Sequence, residues 1–226
     1  MVLYKNDISA RFSGFFYEAL LDPQYADKER NAVHSEWTMK SPNDWVILDQ
    51  LNGSTLNPNH PISQFNWGNL DTLTDKPNRS LHAELMKLYQ TYYSANLMKA
   101  AIISPLPLAE IETLATKHFI NIPNKQTPKP TISALPAPAY LLNKIVHYVP
   151  QTDMKQIQVK FVIENNSAQF KVKPNGYITY MLANEMPGTL ASVLRGADLS
   201  EAVYADYDAD RLGNAGELTL YIDLTD

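Results

Sequence analysis

The sequence predicts an α+β fold of two domains, each with helices packed on a mainly antiparallel sheet, joined by a proline-rich linker. Three observations carry this reading. Apolar residues recur at three- and four-residue steps through the first half, as on one face of a helix. In the second half, residues 155–164 and 217–225 alternate apolar and polar at period two, as in half-buried strands. Between the halves, residues 123–138 hold Pro123, Pro128, Pro130, Pro136 and Pro138, a density that forbids helix and central strand. The boundaries follow: a first domain over 1–122, a linker over 123–139 and a second domain over 140–226. A proline-rich recognition peptide is the rival reading of the linker.

Residues 7–21 read as an amphipathic helix, with Ile8, Phe12, Phe15, Phe16, Leu20 and Leu21 in register and Asp7 or Ser9 as its cap. These aromatics are expected in the core, beneath the next helix. That helix covers 28–37, which holds neither Gly nor Pro and follows the turn-forming pair Asp22-Pro23. Ser41-Pro42 opens a short helix through Trp45, Leu48 and Leu51 that ends near Gly53. Residues 57–69 are too rich in turn formers for regular structure, and long ordered loops are often functional. Within them His60 reads either as a metal ligand or, better, as a side chain bonding a backbone carbonyl.

A helix over 79–93 leads into a strand over 99–103, and Pro107 opens a helix reaching Phe119. Past the linker, 143–149 and 155–164 read as strands. A helix follows over 175–183, and another from Pro187 through Leu194. Strands over 199–209 and 217–225 close the chain, joined through Gly213-Asn214-Ala215-Gly216.

Composition narrows the function classes. The chain has 226 residues, enough for a full core, and a net charge of −5 with no basic cluster, which argues against nucleic acid as a partner. There is no cysteine, so thiolate nucleophiles, disulfides and cysteine-based zinc sites are excluded. The same absence dismisses a deaminase suggested by His34-Ser35-Glu36, whose site needs a P-C-x-x-C. No apolar run is long enough to span a membrane. The first seven residues lack the apolar core of a signal peptide, so a secreted protein would already have lost its signal.

The chemistry-bearing stretch is 28–37. Glu29 and Glu36 lie about two helical turns apart, so both carboxylates project from one face, with Ala32 and Val33 between them. Spacing alone fits a solvated face as well as one that meets a metal.

The run E-R-N-A-V-H-S-E over 29–36 resembles the second zinc segment of the pitrilysin and insulin-degrading enzyme family, the inverzincin metallopeptidases. The likeness continues through N-P-x-H-P-x-S-x-F-x-x-G-N over 57–69 and Y-Y-S-A-N-L-M-K over 92–99. Beyond the linker, N-N-S-A-Q-F, I-T-Y-M-L and P-G-T-L keep the same order, so it covers essentially the whole chain.

The resemblance implies that this is an internal segment: the second half of a catalytic domain followed by the first half of the next. It implies that Glu36 is the third zinc ligand and Glu29 an acid behind it on the same helix. Both histidine ligands and the general base would come from an upstream H-x-x-E-H, and no such motif occurs in the 226 residues. It further implies that Trp45 and Leu48 line a substrate side-chain pocket and that 184–188 belong to a site gripping a substrate N-terminus. There the H-E-G-P-G of insulin-degrading enzyme is replaced by Asn184-Glu185-Met186-Pro187-Gly188, which leaves Glu185 either as partner of an α-amine or as a solvated charge.

The implied function is part of a zinc metalloendopeptidase acting on short or unfolded peptides, inactive by itself; the alternative is a non-catalytic scaffold or partner subunit. The implied compartment is the periplasm. Cut sheets should expose strand edges, predicting a homo-oligomer in contact near 218–224 or 99–103.

Overall fold

The structure, a computed structural model, describes residues 2–226, with side chains from residue 8 onward. Its helices are α1 (Val2–Gly14), α2 (Pro23–Lys40), α3 (Asp44–Thr55), α4 (Leu81–Tyr92), α5 (Leu108–Phe119), α6 (Pro174–Leu182) and α7 (Leu190–Gly196). Its strands are β1 (Gln156–Glu164), β2 (Ser200–Asp208) and β3 (Ala215–Leu224). The chain divides into two compact units, the first made of Met1–Trp37 and Gly68–Pro130, the second of Thr38–Trp67 and Thr131–Asp226.

Unit 1 is helical. Ser80 caps α4 by accepting from the Ala83 N–H, and Pro107 precedes the first turn of α5. The rings of Phe12 and Phe16 meet Phe119 at 6.2 and 6.4 Å, and Phe16 meets Tyr93 at 6.3 Å. Buried Ser94 accepts from the Lys125 N–H at 2.8 Å, while the Ala95 N–H donates to the Pro123 carbonyl at 3.0 Å. Thr127 donates to the Thr91 carbonyl at 2.9 Å. These bonds strap the start of the proline-rich stretch onto unit 1.

Several expectations for this half are corrected. The first helix ends at Gly14 rather than running to residue 21: the N–H groups of Phe15, Phe16 and Tyr17 bond three residues back, closing a tighter turn. Ser9 therefore sits inside the helix and caps nothing, and the Asp7 side chain lies outside the described side chains. Phe12 and Phe15 are exposed rather than core. Residues 99–103 form no strand, because a strand needs a neighbour's N–H and C=O groups and no described segment offers them. Among the described residues the fold is α+β with one small sheet, not one sheet in each half.

Unit 2 holds that sheet, antiparallel in the order β1-β3-β2. Val159 faces Leu220 and Val203 faces Ile222 across the ladders, so the apolar alternation of all three strands falls on one face. Ala191, Val203 and Leu220 form the core there, joined by Leu182, Leu194, Ala205 and Ile222 from α6, α7 and the sheet. The Gly216 position admits no side chain, since a Cβ would lie 2.8 Å from the Asp208 carbonyl oxygen. The stretch 218–224, expected at an exposed edge, belongs to the central strand and is paired on both sides; the free edges are those of β1 and β2.

Residues 143–149 form no strand either. Asn143 is left-handed at φ 58°, and the segment is anchored through a side chain instead of a ladder. Tyr148 donates to Asp44, whose carboxylate also accepts from the Gln151 N–H at 2.7 Å, the Thr152 N–H at 3.0 Å and the Thr152 hydroxyl. His60 is fully buried. Its Nδ1 accepts from the Ile62 N–H at 3.2 Å and its Nε2 meets Asn214 Oδ1 at 3.1 Å, which makes Nε2 the protonated nitrogen. Its partners are thus a backbone N–H and an amide oxygen rather than the expected carbonyl. Asn214 in turn donates to the carbonyls of Ile132 and Ala134, and Asn57 to those of Leu135 and Pro136. The later part of the proline-rich stretch is therefore fastened to unit 2.

Candidate functional site

In unit 1, α2 carries the two acids. Pro23 takes its first position, and Asp22 Oδ1 accepts from the Gln24 N–H at 2.8 Å, so the helix opens at the turn pair itself and runs to Lys40, longer at both ends than the expected 28–37. Val33 and His34 face the unit's interior. Val33 lies so near Gly68 that a Cβ there would approach it to 2.8 Å, and His34 Nδ1 accepts from the Leu70 N–H at 3.4 Å. Glu29, Ala32 and Glu36 lie on the exposed side. Among the described residues no group of three His, Cys, Asp or Glu side chains converges to hold a metal. A zinc site takes three protein ligands plus water in a catalytic setting, so the donor set described here does not fit a complete zinc centre.

In unit 2, α3 presents Trp45 and Leu48 on successive turns. Asn43 caps the helix by accepting from the Trp45 N–H at 3.0 Å. Leu48 and Leu51 line a cavity of about 330 Å³ whose other wall includes Gln156, Gln158, Lys160 and Val162, the polar side of β1. At its floor Lys160 pairs with Glu217 at 3.4 Å, and Glu217 accepts from Asn52 at 3.2 Å. Trp45 is 51% exposed and meets Tyr221 edge-on at 6.4 Å.

Glu185 sits between α6 and α7, which cover the apolar face of the sheet, whereas Trp45 and Leu48 serve the polar face. Trp45 and Leu48 share one face of α3, but Leu48 lines the cavity and Trp45 is not among its lining residues, and Glu185 lies apart from both. Arg195 grips Glu185 with both terminal nitrogens, at 3.1 and 2.8 Å, and this paired hydrogen bonding holds the carboxyl below its usual range.

Sequence reasoning missed Asp44. The hydrogen bond from Gln151 N–H, then those from the hydroxyls of Thr152 and Tyr148, lower its pKa to about 2, and the same carboxylate pushes the Tyr148 hydroxyl up to about 12. An acid one residue inside a capped helix start was the available signal, but its partners lie over a hundred positions away. Tyr204 was missed as well, although its period-two position beside Asp206 and Asp208 places it on the polar face.

Against known proteins, the family profile described as Peptidase M16 inactive domain matches residues 80–226. Protease 3 of Escherichia coli strain K12 is 42% identical over 216 residues, 96% of this chain and 22% of that protein. Nardilysin of Rattus norvegicus is 32% identical over 197 residues, 85% of this chain and 17% of that one. The crystal structure of pitrilysin superposes with a TM-score of 0.93 at 40% identity, over 97% of this chain and 24% of that one. The chain thus spans about a fifth of the length of such relatives.

Proposed function

This chain belongs to the peptidase M16 family, the pitrilysin-like metallopeptidases, and from that premise we propose that it is part of a zinc-dependent endopeptidase hydrolysing short or unfolded peptides. Its first stretch, 1–122, would be the latter part of the catalytic domain, 123–139 the connection, and 140–226 the opening part of the next peptidase-like domain. Glu36 would contribute one carboxylate to the zinc, and Glu29 would orient the ligands from behind. Trp45 and Leu48 would receive a substrate side chain. The single observation that carries this reading is the match of 97% of the chain to part of pitrilysin, in sequence and in backbone alike.

The experiment is substitution in a protein that joins this chain to an H-x-x-E-H helix. Glu36→Gln should remove both metal and activity, while Glu29→Gln keeps part of the metal and slows turnover on the order of 10–100-fold, as losses behind the ligands do. Greater metal loss from Glu29→Gln than from Glu36→Gln would reverse the two roles.

A second reading has an observation of its own: the matching profile is described as an inactive domain. On that reading the chain is a scaffold or partner subunit, and neither acid matters to any measured activity. In both readings Glu185 would meet a substrate amine only by exchanging Arg195 for it. We also place the protein in the periplasm, the compartment of the Escherichia coli periplasmic protease PqqL, which shares the fold. Self-association would use the free edges of β1 and β2.

A further inference from the structure

The polar face of the sheet carries an unusual set of rings. Tyr204 and Tyr221 stand directly opposite across the β2–β3 ladder and stack at 4.8 Å with their planes 12° apart. Trp45 adds a third ring at 6.4 Å from Tyr221. Trp45 is 51% and Tyr204 39% exposed, so the ladder spends apolar area on solvent. Gln156 fixes its outer end, donating to the Tyr204 hydroxyl at 2.8 Å and to Asp223 at 2.7 Å. Gln156 also lines the 330 Å³ cavity beneath Leu48 and Leu51, so ladder and cavity share a wall.

The charges beside the rings are mostly acidic, while Lys144 and Lys160 line the adjoining cavity. Asp206 and Asp208 follow Tyr204 at period two on β2, and Asp223 follows Tyr221 on β3, all on the ladder's face. Burial chiefly, with Asp206 and Glu217 adding to it, raises the Tyr221 hydroxyl pKa, which places carboxylates beside the rings. Lys160, on this face, is paired with Glu217. Among the described residues no ion pair engages Asp206, Asp208 or Asp223.

We propose that this face docks an unfolded, basic peptide segment, which lays an aromatic or aliphatic side chain against the Trp45–Tyr221–Tyr204 ladder and its arginines or lysines against Asp206, Asp208 and Asp223. The inference deepens the peptidase reading by naming the substrate class, and rests on it. Charge complementarity selects the occupant: an anionic face of exposed rings repels acidic segments and nucleic acid, and ring faces attract guanidinium groups. The cavity accepts a side chain that no ring need cover.

The test is fluorescence anisotropy of the 226-residue chain with a labelled, unstructured peptide carrying several arginines and one phenylalanine. Two comparison peptides replace the arginines by glutamates or the phenylalanine by alanine. The basic aromatic peptide should bind about tenfold or more tighter than the glutamate version, with affinity falling as salt rises. The double variant Asp206→Asn, Asp208→Asn, at two exposed positions that should leave folding intact, should erase most of that preference. Tyr204→Leu should weaken binding several-fold, whereas Tyr204→Phe, which keeps the stack, should retain it. Circular dichroism verifies the fold of each variant. Equal binding of basic and acidic peptides, no binding of either, or indifference to all three variants would overturn the proposal. If that happened while Glu36→Gln still abolished cleavage in the longer protein, only the ladder assignment would fall; if Glu36→Gln had no effect, the peptidase reading would fall with it.

Discussion

Unit 2 buries apolar side chains of its own, Ala191, Val203, Leu212 and Leu220, whereas the buried side chains of unit 1 are the hydroxyls of Ser13 and Ser94 among its described residues. The sheet makes the difference. In unit 2 three strands satisfy one another's backbone groups and give α6 and α7 a flat apolar face to cover. In unit 1 the helices have amphipathic patterns but, among the described residues, no sheet, and Phe12, Leu108 and Ile120 remain exposed at 54%, 79% and 72%. The acids proposed to serve the zinc therefore stand on the less consolidated unit, and the residues proposed to grip a peptide stand on the consolidated one.

Core truncation should give the largest contrast. Leu220→Ala, in the unit 2 core, should cost about 2–5 kcal/mol in urea unfolding, the usual range for a buried leucine. Phe12→Ala, on the exposed ring of unit 1, should cost under about 1 kcal/mol. Equal costs would erase the distinction between the units. Next in size, Gly53→Ala should cost about 1–3 kcal/mol, because its Cβ would lie 2.9 Å from the Ile62 carbonyl oxygen, a backbone atom with little room to yield.

A subtler comparison uses acid. Asp44 has its folded pKa lowered from 3.8 to about 2, so its contribution is present above the unfolded value and is lost as pH falls toward 2. Asp44→Asn should flatten the acid limb of the stability profile between those values while leaving a lower plateau near neutral pH. Tyr148, raised from 10.0 to about 12, works in the opposite sense, losing its contribution as pH rises through that range. An unchanged acid limb in Asp44→Asn would show that other carboxylates set it. The smallest effect concerns assembly: light scattering should show concentration-dependent self-association through the free edges of β1 and β2, and a clean monomer throughout would contradict it.

Local signals located α3 to α6 and the last three strands to within about two residues, because their periodicity and caps are written in adjacent residues. The same signals failed at 99–103 and 143–149, where apolar residues such as Ile102, Ile103, Ile145 and Val146 are present but a strand partner is not in the described chain. The roles proposed for Glu29 and Glu36 rest on resemblance alone, since their spacing fits a solvated face equally well. Asp44 and the Tyr204–Tyr221 stack depend on residues brought together from distant positions, and no window of sequence displays such a meeting.

The most direct test of the central claim, that this chain supplies one zinc carboxylate and a peptide-gripping surface but not a working centre, is hydrolysis of an unstructured peptide by the purified 226-residue chain with added zinc, with and without a chelator. The account predicts no cleavage above background in either condition. Cleavage that the chelator abolishes would contradict it, and would mean that Glu36 finds its missing ligands within this chain.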